Sequence, residues 1–175
     1  MTKTEIITRL SNEMNALEST LQQTSDEMFF KKPGGKWSVA ENTQHLVLSA
    51  RPLSLAFSLP KILLRLLFGS PYRKSLPYDE IVKRYQQLLK DGAVATGAYI
   101  PRGVPVKGDK SRIAERYKAT HATLTGKVQS WSEEDLDNYY LPHPLLGKLT
   151  AREMLYFTLY HISHHHATVR VLKNG

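Results

Sequence analysis

The amino-acid sequence predicts an all-α protein folded as a four-helix bundle. Three observations carry that prediction. Four long segments repeat apolar residues at three-to-four spacing, capping boxes open two of them, and no segment alternates apolar and polar residues convincingly. At 175 residues the chain is long enough for one domain with a real core and too short for two comfortable ones. No repeat, low-complexity tract or linker divides it, so residues 1–175 are read as one domain.

The first bundle helix is expected near 3–24, capped by Thr4, with Ile6, Ile7, Leu10, Met14, Leu17 and Leu21 along one side. The breaker cluster "KKPGGK" (31–36) follows it. The second helix is expected near 38–58, because Ser38 and Glu41 match a capping box and Val39, Leu46, Leu48 and Leu53 continue an apolar face. Pro52 lies inside this stretch and predicts a kink or an end near Arg51.

From 58 to 110 the chain is less regular. "KILLRLLF" reads as a short helix, and "YDEIVKRYQQLLKDG" (78–92) as a clearer one with acids at its start and Gly92 at its stop. "AVATGAYIPRGVPVKGDK" has glycines and prolines without a period and reads as a loop. The third bundle helix is expected near 111–131, with Ile113, Tyr117, Leu124, Val128 and Trp131 on one side. After "SEEDLDNYYLPHPLLGKL", Thr150 and Glu153 form the second capping box and open the fourth helix, near 150–172. The expected architecture is thus a bundle with extra short helices in its long crossover.

Composition narrows the function classes. With no cysteine, disulfides, thiolate metal sites and a cysteine nucleophile are excluded, and a cytoplasmic location is the expectation. No window reaches the ~18 apolar residues of a membrane span, and the charged N-terminus has no signal-peptide core, so no membrane partner is expected. The net charge is +8, from 24 Lys+Arg against 16 Asp+Glu, but the positive residues are scattered and no block of five like charges occurs. On that distribution the expectation is against nucleic acid as a partner. "LPKILLRLLFG" is an apolar candidate for a homodimer contact.

The histidines carry the chemistry. Four of the seven fall in "HISHHH" (161–166), broken by Ile162 and Ser163 and so unlike an affinity tag. On a helix, His161 and His165 differ by about 40° and share a face with Met154, Phe157, Thr168 and Leu172. His164 lies about 60° to one side, and His166 about 140° away, toward solvent. Two imidazoles one turn apart can hold one divalent ion, or they can be two polar side chains satisfied by water and hydroxyls. His45, mid-helix in "ENTQHLVL", is the best third ligand, because it can meet the pair across a bundle. His121 reads as a core-edge histidine, His143 in "LPHP" as a loop residue, and Trp37 as a plug at the end of the bundle.

"KWSVAENTQHL" is similar to the W-S-x-x-E-x-x-x-H-L segment of the DinB-like (DinB/YfiT-like) superfamily. "HPLLGKLTAREMLYFTLYHISHHHATVRVLK" resembles that family's closing segment, in which P-x-x-G-x-[LM]-[ST] leads a helix carrying H-x-x-x-H. The resemblance implies a four-helix bundle with a divalent ion on three histidines, matched here by His45, His161 and His165. Where many members continue with Arg-Gly-Gln, this chain has His166, Ala167 and Thr168, and no thiol-cofactor-binding residue can be matched.

Three imidazoles and an open fourth position describe a catalytic site, in which bound water or a thiol is activated near neutral pH. The resemblance and the ligand set together lead to a metal-dependent hydrolase or thiol S-transferase acting on a small molecule, with a low-molecular-weight thiol as a possible partner. Histidine-only coordination suits zinc, nickel, copper or iron, with zinc and nickel taken first. Glu41, Tyr160 and His164 are the weaker candidates for proton transfer. The loop 97–108 either covers the pocket mouth, its Arg102 and Lys107 suiting an acidic substrate, or is plainly solvated; the second reading is preferred. The alternative function is a non-catalytic, metal-stabilised, stress-related binding protein.

Overall fold

In the computed structural model, which describes residues 1–104 and 107–173, helix formation follows the apolar periodicity closely. The bundle consists of α1 (Lys3–Gln23), α3 (Val39–Ala56), α6 (Lys110–Gln129) and α8 (Ala151–Lys173). Four shorter helices decorate it: α2 (Asp26–Phe30), α4 (Lys61–Phe68), α5 (Tyr78–Lys90) and α7 (Glu133–Asn138). Both α1 and α3 pack on α6 and on α8, which closes a ring with α1 and α3 on one diagonal. Ile6, Leu10, Leu17 and Leu21 of α1 are fully buried, and each such side chain contributes about 2 kcal/mol through loss of apolar surface.

Capping decides the helix starts. The first cap is Thr2 rather than Thr4: Thr2 Oγ1 accepts from Glu5 N–H, and Glu5 Oε2 accepts from Thr2 N–H. Thr4 would have Ile7 at the position where the returning carboxylate belongs. Ser38–Glu41 and Thr150–Glu153 form the two expected boxes. Pro52 does not end α3 near Arg51; the helix runs on to Ala56 because its last turn is anchored by buried Leu53 and Phe57, joined by Phe57 N–H to Leu53 O at 3.0 Å.

Two short helices and a hairpin went unpredicted. The helices α2 and α7 are one or two turns long, too short for a period, and are capped by Ser25 and Ser132. The segment "LPHP", read as a loop, is largely a strand: β1 (Tyr140–His143) pairs antiparallel with β2 (Gly147–Thr150), Leu141 opposite Leu149 and Pro142 opposite Lys148. Strands this short, with a proline, carry no alternation, and Pro142 is tolerated because a two-stranded sheet leaves β1 a free edge. Gly147 turns the hairpin at φ 74°, and β2 then runs directly into α8. On α4 only Leu64 is buried; Ile62, Leu66 and Leu67 are exposed, so the proposed homodimer face is bare in the single chain. No single described helix is long and apolar enough to cross a membrane.

Candidate metal centre

The site forms where α3 packs on α8. His45 on α3 and His161 and His165, one turn apart on α8, are all buried, and a ring nitrogen from each lies within 4.8 Å of the other two. His45 Nε2 is 3.0 Å from His161 Nε2. Imidazole nitrogens on a tetrahedral zinc ion stand roughly 3.3 Å apart, which falls between those two distances.

The ring protons follow from the neighbours. His45 Nδ1 lies 2.7 Å from the Tyr99 carbonyl oxygen, which can only accept, so Nδ1 carries the proton and Nε2 keeps its lone pair. His165 Nδ1 lies 2.7 Å from Asn42 Oδ1. The Asn42 amide is oriented by its own donations from Nδ2 to Ser38 O (2.9 Å) and Trp37 O (3.3 Å), which leave the oxygen for His165. His165 Nε2 is therefore also a free lone pair. Oriented imidazoles of this kind are what metal sites use to fix ligand tautomer and basicity.

Electrostatics keep the cluster neutral. Burial pushes His161 and His165 well below the usual histidine range, and neighbouring imidazoles add to this. Burial also lowers His45, with the bond to Tyr99 opposing it in part. Neutral imidazole is the form that can bind a cation.

The proton-transfer candidates are placed differently from one another. His164 is half-buried, lines the adjoining cavity and stands 5.2 Å from the His165 ring, centre to centre. Glu41 has both oxygens engaged, Oε2 by Ser38 N–H and Oε1 by Lys32 at 2.7 Å. Burial would raise its carboxyl, but those two partners prevail and hold it below the usual range. The Tyr160 hydroxyl is taken by Gln86 Nε2 at 3.0 Å. His166 does not face solvent as its helical angle suggested. It packs toward α1, with Nε2 2.9 Å from Thr20 Oγ1, because α1 covers that flank of α8.

A cavity of about 400 Å³ adjoins the cluster, walled by α3, α5, α8 and the hairpin. Trp37 is one of its walls as well as a neighbour of the ligands, its ring 5.0 Å from that of His45. From the loop 97–108, Tyr99 reaches the cavity, while Arg102 and Lys107 are exposed and Pro105 and Val106 lie outside the described residues. No Lys, Arg, Asp or Glu lines the cavity among the described residues, which agrees with the preferred reading of a solvated loop and leaves Arg102 and Lys107 no grip on a substrate there.

Sequence reasoning missed three participants. Asn42 was findable, as an amide three residues before His45 on the same helix side. Tyr99 acts through its backbone carbonyl, which leaves no trace in residue type. Tyr85 of α5 presents its ring edge to Phe157 and lines the cavity, and burial pushes its hydroxyl up to about 12.

The family model of the DinB superfamily matches residues 5–169. The chain belongs to the DinB superfamily. As a member of that superfamily it shares its fold with the colibactin self-resistance protein ClbS, seen in a crystal structure in complex with dsDNA. The TM-score is 0.59 at 15% sequence identity, over 99% of this chain and 96% of that one. No curated protein matches this DinB-superfamily chain by sequence at a significant level. The ClbS complex overturns the expectation against nucleic acid as a partner: a protein with this fold is found on double-stranded DNA. The absence of a contiguous run of basic residues does not decide the question, because folding can gather charges that are scattered in sequence.

Proposed function

We propose that this protein is a metal-dependent enzyme acting on a small molecule, with one divalent ion, zinc or nickel, held by His45, His161 and His165. The observation that supports the reading most directly is the convergence of three buried, neutral imidazoles at the wall of a cavity. A set of three protein ligands suits a catalytic ion, whereas structural zinc is normally closed by four. A bound ion would supply Lewis acidity toward a water or a thiol at neutral pH, fitting hydrolysis or thiol-dependent transfer. The chain's own part is to orient two of the rings through Asn42 and the Tyr99 carbonyl, and to flank them with Trp37 and Phe157. His164, beside His165 on the cavity wall, is placed to take or return a proton.

Elemental analysis of untagged protein tests the reading first, followed by single alanine variants. One equivalent of metal is expected, lost in His45→Ala, His161→Ala and His165→Ala. In a cobalt-substituted form, azide or a small thiol should shift the visible spectrum. Metal retained by all three variants would sink the proposal.

One observation favours a second reading. ClbS, with the same fold, is found in complex with dsDNA, and a net charge of +8 suits phosphate neutralisation. On this reading the ion is structural and the protein is a non-catalytic binding module. Fluorescence anisotropy with a labelled duplex separates the two: DNA binding that weakens steeply with salt, together with metal that no small ligand can reach, supports the second. We also place a homodimer contact on the exposed apolar face of α4, which light scattering tests directly.

A further inference from the structure

The cavity holds two more buried histidines that the metal reading does not use, and each is locked by backbone. His121 of α6 has Nδ1 2.9 Å from Tyr117 O, so that nitrogen carries the proton. Its Nε2, on the ring edge away from the helix backbone, is an acceptor without a partner among the described residues. His143, at the end of β1, is the reverse. Its Nδ1 accepts from the N–H groups of Leu145 and Leu146 at 3.1 and 3.0 Å, so Nε2 carries the proton and is a donor, again without a partner among the described residues. Burial pushes both rings down to about 4, so each keeps its role at neutral pH. The Tyr85 hydroxyl can donate or accept and imposes no polarity of its own.

We propose that the cavity selects an uncharged, largely apolar substrate carrying a hydroxyl, amide or similar group, with His143 Nε2–H as donor and His121 Nε2 as acceptor toward it. In the metal-free cavity a charged ligand would give up its hydration and meet no side chain of opposite charge in the described lining. A wholly apolar one would leave both ring nitrogens unpaired. The apolar wall continues outward through exposed Leu55 and Val94, so an apolar body is accommodated as far as the mouth. The inference rests on the enzyme reading for the reaction but not for binding.

Equilibrium dialysis with four probes on chelator-treated protein tests it: 2-naphthol, naphthalene, naphthalene-2-sulfonate and a naphthylmethyl trimethylammonium salt. The expected result is 2-naphthol bound at least tenfold more tightly than either ion and several-fold more tightly than naphthalene. His121→Leu and His143→Phe should each shrink the preference for 2-naphthol over naphthalene by about three- to tenfold. His143→Asn should preserve it, because its Oδ1 can take the backbone N–H groups while its Nδ2 donates. Either ion bound as tightly as 2-naphthol would overturn the proposal, and so would a preference unchanged in both variants. Should a variant fail to fold by circular dichroism, the four-probe comparison on the unaltered protein still decides. Metal content is measured separately, so a protein without metal that keeps the preference loses only the enzyme reading, and the opposite result loses only this one.

Discussion

Replacing Asn42 by leucine isolates the orientation of a single ligand. Asn42 Oδ1 accepts from His165 Nδ1 at 2.7 Å, and leucine removes that acceptor while keeping the branched shape of the side chain. His165 is then free to rotate or to hold its proton on Nε2, the nitrogen needed for an ion. Loss of such an outer partner typically weakens metal binding by about 10- to 100-fold, or roughly 1.4–2.7 kcal/mol. Asn42→Asp separates this role from the asparagine's structural one. It keeps the acceptor but loses the donations to Ser38 O and Trp37 O, so affinity should persist while stability falls by about 1–2 kcal/mol. The assay is competition with a chromophoric chelator of known affinity, with folding checked by circular dichroism. A dissociation constant for Asn42→Leu within twofold of the parent would refute the role assigned to this hydrogen bond.

Further predictions concern pH and stability. His121 and His143 are lowered by burial to about 4 against an unfolded value near 6.5, so the unfolded chain binds more protons in between. Their stabilising contribution is full above about pH 6.5 and lost as pH falls toward 4, at about 1.4 kcal/mol per unit for each ring; urea titrations across that window should show His121→Leu flattening the dependence by one such increment. Glu153→Ala removes a fully buried carboxylate that accepts from Leu76 N–H at 2.6 Å, Thr150 N–H at 2.8 Å and the Arg73 guanidinium. Two orphaned backbone donors cost about 3–4 kcal/mol, a drop of roughly 10 °C in Tm by calorimetry. His166→Ala should leave metal stoichiometry intact while costing about 1 kcal/mol through the lost contact with Thr20, as urea unfolding would measure.

The bundle was legible because α1, α3, α6 and α8 each show a repeating apolar face, which a 3.6-residue period turns into a buried stripe. The meeting of His45, His161 and His165 was legible for the same reason, since helical angles fix which side chains share a face. His166 escaped that reasoning. An angle measured on one helix does not say what packs on its far side, and here α1 does. The hairpin was hidden because four-residue strands with Pro142 produce no period. Tyr99 was hidden because a backbone carbonyl is the same in every residue, and the polar lining of the cavity because His121 and His143 approach it from elements distant in sequence.

The tie between α3 and α8 also bears on which parts of the molecule can open independently. His45 and His161 are separated by 116 residues, yet their ring nitrogens touch. A local fluctuation that peeled α8 away from α3 would separate all three rings at once, and any ligand bridging them would oppose it. Amide exchange in the two helices around the site would then slow together, toward the rate set by global unfolding. The helix α4, which packs on β1 instead, would keep its own faster opening. Occupancy of a site a few ångströms across would thus be readable over two whole helices as a merging of separate breathing motions into one.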